Sequence, residues 1–223
     1  PKPQNPKTPK PRPCTVRATK IRMRANSFPK YNISHIATME GYNYPLVTPE
    51  DVLKHTKPAA AFLCPISANT YDIAFGQFVM RDVQNNRVLL STGPAGEAPA
   101  KIERDEDRSI RYSFPKELLR VPQIGTSVEL VIGGKEVRNF RMIERHYFKD
   151  RLIKSYDFTF GFCIPHSRNT WEVIYSLPVI KDSEMDDIVK HPFETRSDSF
   201  YFVENRLIMH HRAEYEYTTS SGT

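Results

Sequence analysis

Glu144 and His146 stand two apart in Ile143-Glu144-Arg145-His146-Tyr147-Phe148. On a β-strand that spacing turns a carboxylate and an imidazole the same way, as an acid/base pair or half a metal site requires. No third ligand is apparent. Cys163 lies close to His166 and Ser167, yet no third partner that would activate a nucleophile can be identified. His210-His211 puts its two rings on opposite faces of a strand. No phosphate-binding glycine loop is present, and Gly133-Gly134 is explained by a turn. These residues point away from an enzyme, although a metal-dependent one centred on Glu144 and His146 stays open as a hypothesis.

The elements that would position these groups are mainly strands. Order is expected to begin at Thr48-Pro49-Glu50-Asp51-Val52-Leu53, where a hydroxyl N-cap, a proline at the first helical position and an acidic residue three after the cap predict a short helix. From Thr70 the apolar period becomes two. In Tyr71–Met80 the large residues change parity, and a bulge at Gly76-Gln77 would return Phe75 and Phe78 to one face. Further strands are read at Arg87–Ser91, Ser109–Phe114, Thr126–Ile132, Val137–Ile143, Tyr156–Phe162, Val173–Ser176, Phe200–Val203 and Leu207–Tyr217. Gly133-Gly134 serves as a two-residue hairpin signal between the fourth and fifth of the nine. A helical turn at Lys116–Arg120 and a capped helix at Asp182–Lys190 are accessories. The pattern suits an all-β, two-sheet antiparallel sandwich.

Tyr156, Phe158, Phe160 and Phe162 alternate without a break and are expected on one side of one strand, with Tyr112, Phe114, Phe75 and Phe78 adding to the same interior. Such rings can simply fill the core. Because rigid rings interdigitate incompletely, they can also leave an elongated cavity for an aliphatic chain.

Composition narrows the classes. The 223 residues carry a formal charge of +6, but residues 1–30 hold nine Lys or Arg and no acid, which leaves 23 basic against 26 acidic residues in the body. A folded part with a net −3 is unsuited to reading phosphates, so no nucleic-acid partner is expected. Proline occupies six of the first thirteen positions, a composition that favours solvated polyproline geometry. Residues 1–44 are therefore read as a basic, proline-rich disordered tail, 45–217 as the sandwich, and 218–223 as a second tail. No apolar run is long enough to span a bilayer, which leads to the expectation of an intracellular protein without stable membrane insertion. Three cysteines, Cys14, Cys64 and Cys163, are too few and scattered for a disulfide scaffold and are read as reduced.

Three longer stretches carry a resemblance: Asn139-Phe140-Arg141-Met142-Ile143-Glu144-Arg145-His146-Tyr147-Phe148, Phe160-Gly161-Phe162-Cys163-Ile164-Pro165 and Ser197-Asp198-Ser199-Phe200-Tyr201-Phe202-Val203. They closely resemble the uncoordinated-one-nineteen (Unc one-nineteen) family of myristoyl-binding trafficking chaperones, and the resemblance runs from about Thr48 to Tyr217. It implies an immunoglobulin-like antiparallel β-sandwich with a lipid cavity between the sheets, similar to the prenyl-binding delta subunit of retinal phosphodiesterase. It further implies a monomeric non-enzyme, cytoplasmic or ciliary and without a cofactor, whose ligand is the myristoyl or lauroyl group of a cargo protein. The implied partners are N-myristoylated proteins, such as G-protein alpha subunits and ciliary proteins, and a GTP-bound Arf-like GTPase that triggers release. Carried onto this chain, the lipid would be lined by Phe75, Phe78, Tyr112, Leu118, Tyr156, Phe158, Phe160 and Leu177. The cargo's first residues would meet Glu144, His146, Tyr175, Tyr201 and Tyr215 at the mouth. Leu118, Tyr156 and Leu177 stand where the family usually has phenylalanine, Trp171 replaces a small residue, and Ser91–Arg108 departs most. The alternative from another class is an adaptor with a filled core that binds proteins through an edge strand and the basic tail.

Overall fold

The computed structural model describes residues 17–20, 44–93 and 95–219; Cys14 and most of the two expected tails lie outside the described residues. The described residues form ten strands: β1 (Arg17–Lys20), β2 (Ala74–Asp82), β3 (Arg87–Thr92), β4 (Ser109–Pro115), β5 (Gln123–Val131), β6 (Val137–Phe148), β7 (Arg151–Cys163), β8 (Arg168–Ser176), β9 (Thr195–Val203) and β10 (Arg206–Thr218). They build an immunoglobulin-like sandwich from a six-stranded sheet, β1-β4-β10-β9-β6-β7, and a four-stranded sheet, β3-β2-β5-β8. Strand β1 falls inside the stretch read as a tail and pairs antiparallel with β4. The β4–β10 pair is parallel, a departure from the all-antiparallel expectation, because β4 enters the large sheet from a connection that crosses over from the small one.

Helix α1 (Pro49–Leu53) begins as its sequence predicts. Thr48 Oγ1 accepts from the Asp51 N–H at 3.4 Å while Asp51 Oδ2 accepts from the Thr48 N–H at 3.1 Å, closing a capping box. The helix buries Val52 against Ile143, Phe200, Phe202 and Leu207 on the outer face of the large sheet. The stretch 44–70 is thus a strap across that face. Helix α2 (Asp182–Lys190) buries Met185 and Ile188, but Lys181 at its N-cap makes no side-chain cap; Asp182 and Glu184 complement the helix dipole instead.

The β2 bulge is present, with the pairing to β5 shifting between Phe75 and Phe78. A Cβ at Gly76 would lie 2.6 Å from Glu129 Oε2, which accepts the Gln77 N–H at 3.2 Å, so the bulge needs glycine to admit that carboxylate.

Two expectations are corrected. Gly133-Gly134 is no hairpin, because β5 and β6 belong to different sheets. Gly133 donates to the Tyr71 carbonyl at 3.1 Å and a Cβ there would meet the same oxygen at 2.6 Å, so close backbone approach requires this glycine. Phe162 does not join the inward row of β7. Gly161, at φ +94°, shifts the register, leaves Phe162 51% exposed near Arg138 and turns Cys163 inward.

Candidate functional site

The inner face of the large sheet is bulky at its ends and thin in its middle. Ser197 and Ser199 on β9 and Ala213 on β10 project little volume toward Thr126, Val128 and Val173 of the small sheet. Around them stand long, stiff tyrosines that cannot collapse into the gap. The result is a cavity of about 870 Å³ between the sheets, mostly apolar in its lining and of a size that encloses a small ligand.

Of the eight residues expected to line a lipid, Phe75, Phe78, Tyr112, Leu118, Tyr156 and Leu177 face this cavity. Phe158 and Phe160 do not. Trp171 of β8 stands between them and the space, with ring centroids 6.5 and 5.3 Å from theirs. All five residues expected at a mouth, Glu144, His146, Tyr175, Tyr201 and Tyr215, line the same cavity. Ser197, Ser199, Met142 and His211 also line it and were not anticipated. Parity with Tyr201 on β9 and with Tyr215 on β10 was the signal that could have found three of them.

Alternation along β6 sends Glu144 and His146 inward together. Glu144 Oε2 accepts from Tyr175 Oη of the opposite sheet at 2.8 Å, and Glu144 Oε1 lies 2.8 Å from His146 Nε2, which donates. The His146 ring stacks on Tyr215 at 6.0 Å and meets Tyr156 edge-on at 5.5 Å. Tyr215 Oη is 2.9 Å from Ser197 Oγ, and Tyr156 donates across the sheets to the Ser176 carbonyl at 3.2 Å. Tyr201 packs on Phe75 and His211, at 4.9 and 5.5 Å, rather than bonding to Glu144.

Burial, and then the negative charge of Glu144, raise the Tyr175 and Tyr215 phenols well above their ordinary value and push Tyr112 up to about 12. Burial holds His211 down to about 3, so it is neutral at physiological pH. The phenols are therefore hydrogen-bond donors rather than bases. The buried thiols of Cys64 and Cys163 are pushed up to about 11, first by burial, which makes them poor nucleophiles. Among the described residues no cluster of three or more His, Cys, Asp or Glu is arranged to hold a metal ion. What the site offers is mostly apolar volume in which the Glu144 carboxylate is held among hydroxyl and imidazole groups.

Comparison with known proteins now bears on that geometry. The family model "GMP-PDE, delta subunit" matches residues 67–217, which contain all the cavity-lining residues except Ile66. The chain is 45% identical over 179 residues to Protein unc-119 homolog B of Danio rerio, covering 77% of this chain and 74% of that protein. The chain belongs to the unc-119 family. It is also 45% identical over 174 residues to Protein unc-119 of Caenorhabditis elegans (77% of this chain, 80% of the relative) and 43% identical over 184 residues to Protein unc-119 homolog B of Homo sapiens (77% and 72%). Membership in the unc-119 family, itself related to the phosphodiesterase delta-subunit proteins, supports a lipid-binding trafficking chaperone in general terms, a binding and transport role rather than a catalytic one. Among the described residues no helix is long and apolar enough to cross a membrane.

Proposed function

We propose that this unc-119 family member extracts N-myristoylated or N-lauroylated proteins from membranes and carries them with the acyl chain enclosed between its sheets. The observation that carries this reading is the cavity of about 870 Å³, mostly apolar but with Glu144 in its lining. Rings and aliphatic side chains suit the acyl chain, whereas a carboxylate flanked by phenols suits the amide N–H groups that follow an acylated glycine. A filled-core adaptor is at odds with a hollow of this size.

Burying roughly a dozen methylenes at ~0.8 kcal/mol each gives on the order of 10 kcal/mol, about what a bilayer offers the same chain. The lipid alone therefore sets no preference among acylated proteins. Selectivity falls to the peptide contacts around Glu144, where ~1.4 kcal/mol is tenfold in affinity. Release calls for a partner that favours a wider, weaker-binding conformation, and a GTP-bound Arf-like GTPase fills that role in this proposal. Linkage then requires cargo to weaken GTPase binding by the same factor. G-protein alpha subunits and ciliary proteins are the proposed cargo, and cytoplasm or cilium the proposed location.

Titration of a fluorescent myristoyl-glycyl peptide against its unacylated twin tests the reading. Tight binding of the first alone is expected, and equal affinities would overturn it. Addition of the GTP-loaded GTPase, but not the GDP-loaded form, is expected to release the peptide.

A further inference from the structure

The inward rows of the large sheet can be followed from strand to strand. Glu144 of β6 stands opposite Ser199 of β9, and Ser199 opposite His211 of β10, so a carboxylate, a hydroxyl and an imidazole lie side by side in the cavity wall. In the other direction the row reaches Tyr156 of β7, whose phenol already donates to the Ser176 carbonyl. The next row on one side is Met142, Tyr201 and Met209; on the other it is His146, Ser197 and Ala213, where His146 is bonded to Glu144 and Ser197 to Tyr215.

His211 ends the polar row and is its least satisfied member. Its ring lies edge-on to Phe75 and Tyr201, at 5.4 and 5.5 Å between centroids, and these contacts fix its orientation. Among the described residues neither ring nitrogen has a hydrogen-bond partner, and neither is sealed inside protein as the orphaned Nδ1 of His55 is. Both therefore open onto the cavity that His211 lines. Burial keeps the ring neutral, so it presents one donor and one acceptor. An acyl chain laid along this row would leave the imidazole unmet, whereas a peptide brings a donor and an acceptor with each residue.

We infer that the row is a track for the cargo's peptide chain, running from Glu144 past Ser199 to His211, and that His211 hydrogen-bonds the peptide about three residues after the acylated glycine. The inference rests on the acyl-binding reading above and adds the path of the peptide and the residue that reads it. Adjacent strands lie about 4.8 Å apart, so Glu144 and His211, two strands apart, are separated by roughly 10 Å, which an extended peptide covers in about three residues at ~3.4 Å each. Ser199, between them, engages the Tyr201 phenol and is small enough to let a chain pass. The acyl chain is left the part of the cavity walled by Phe78, Met80, Leu118, Ile124 and Leu177, all of one apolar cluster.

A ladder of peptides tests this: myristoyl-glycinamide and its extensions by one to five alanines, each with its unacylated twin, titrated into the full-length protein, His211→Leu and His211→Gln. In the natural protein, affinity should step up about fivefold to tenfold on addition of the third or fourth alanine, as one hydrogen bond supplies. His211→Leu should lose that step yet bind myristoyl-glycinamide as the natural protein does. His211→Gln, which keeps a donor and an acceptor, should recover most of it. A ladder without that step overturns the inference and leaves acyl binding intact. So does a His211→Leu protein that loses as much affinity for myristoyl-glycinamide as for the longer peptides, because the imidazole would then serve the acyl chain or the scaffold. Should His211→Leu fail to melt cooperatively, the imidazole nitrogen NMR signals of His211 in the natural protein decide: a shift with the extended peptides and none with myristoyl-glycinamide is expected, and equal shifts overturn the inference. If no acylated peptide binds more tightly than its twin, the acyl reading itself fails and the track with it.

Discussion

The two faces of the large sheet are built from alternate residues of the same strands, yet one is hollow and the other is latched. Glu144 and His146 of β6 face the cavity, and Arg145 between them faces the strap. Ser197 and Ser199 of β9 face the cavity, and Asp198 faces the strap. On β10, His211 lines the cavity against Phe75 and Tyr201, while the fully buried His210 accepts the strap's Leu63 N–H at 3.1 Å on Nδ1 and donates to Asp198 at 2.9 Å through Nε2. Asp198 Oδ2 also accepts the Ala59 N–H, Arg212 donates to the Ala59 carbonyl, Arg108 to that of Cys64 and Arg145 to that of His55. The Phe62 ring is held between the guanidinium groups of Arg108 and Arg212, at 3.8 and 4.4 Å. Five strap groups, the N–H of Ala59 and Leu63 and the carbonyls of His55, Ala59 and Cys64, meet a charged or imidazole partner, a dense network that stiffens the face although Arg145 Nε, Arg212 Nε and His55 Nδ1 find no hydrogen-bond partner within it. The cavity face has the same kinds of groups with empty space between them. Stability and ligand capacity are thereby assigned to opposite sides of one sheet, and substitutions can separate them.

The largest separation is expected from Asp198→Ala. It strands His210 and Arg212 on the latched face, and breaking a buried pair costs about 3–5 kcal/mol, read as a lowered urea midpoint. Acyl-peptide affinity measured on the remaining folded protein should be unchanged; parallel loss of affinity would erase the distinction between the faces.

Acidification should act next, and on both faces. Burial lowers His210 to about 4 and His211 to about 3 from an unfolded value near 6.5. Asp198 opposes the shift at His210, and Arg108 adds to it at both rings. Because the fold favours the neutral rings, their contribution is complete above about pH 6.5 and is lost as pH falls toward 4. Tm should drop by several degrees across that window, and His210→Gln should flatten the slope. A slope unaffected by that substitution would show that the latch does not require a neutral imidazole.

Glu144→Ala should have the opposite profile to Asp198→Ala. Its neighbours border a cavity that water can enter, so the melting curve should hardly move, while the affinity difference between acylated peptides of different sequence shrinks tenfold or more, corresponding to about 1.5–3 kcal/mol for a charge-assisted hydrogen bond. Unfolding of this variant would reassign Glu144 to the scaffold. The smallest effect should come from Phe62→Leu, which removes cation–π contacts worth about 0.5–2 kcal/mol and should show as faster amide exchange confined to the strap.

Local signals were legible in the sequence and long-range ones were not. The capping box at Thr48, the bulge at Gly76 and the strand parities of β4, β5 and β7 up to Phe160 depend on neighbours in the chain. Gly161 sat in plain view inside an unbroken alternation, but only its positive φ reveals that it reverses Phe162. Gly133-Gly134 carried a turn signal that cannot say which sheet the next strand joins. The grouping of Glu144 and His146 with the tyrosines is implied by the family resemblance, whereas Ser197, Ser199 and Ala213, which leave the hollow open, carry no bulk or apolar pattern that marks them in the sequence. Asp198 and His210 become partners only through the β9–β10 pairing, and Trp171 screens Phe158 and Phe160 only once the sheets face each other.

The central claim, that the hollow face takes up a fatty chain carried on another protein's N-terminus, is tested most directly by native mass spectrometry of the protein with an equimolar mixture of myristoyl-, farnesyl- and unmodified peptides. One myristoyl peptide per protein is predicted, with the farnesyl form minor and the unmodified form absent. Spectra in which all three bind alike, or none does, would contradict the account.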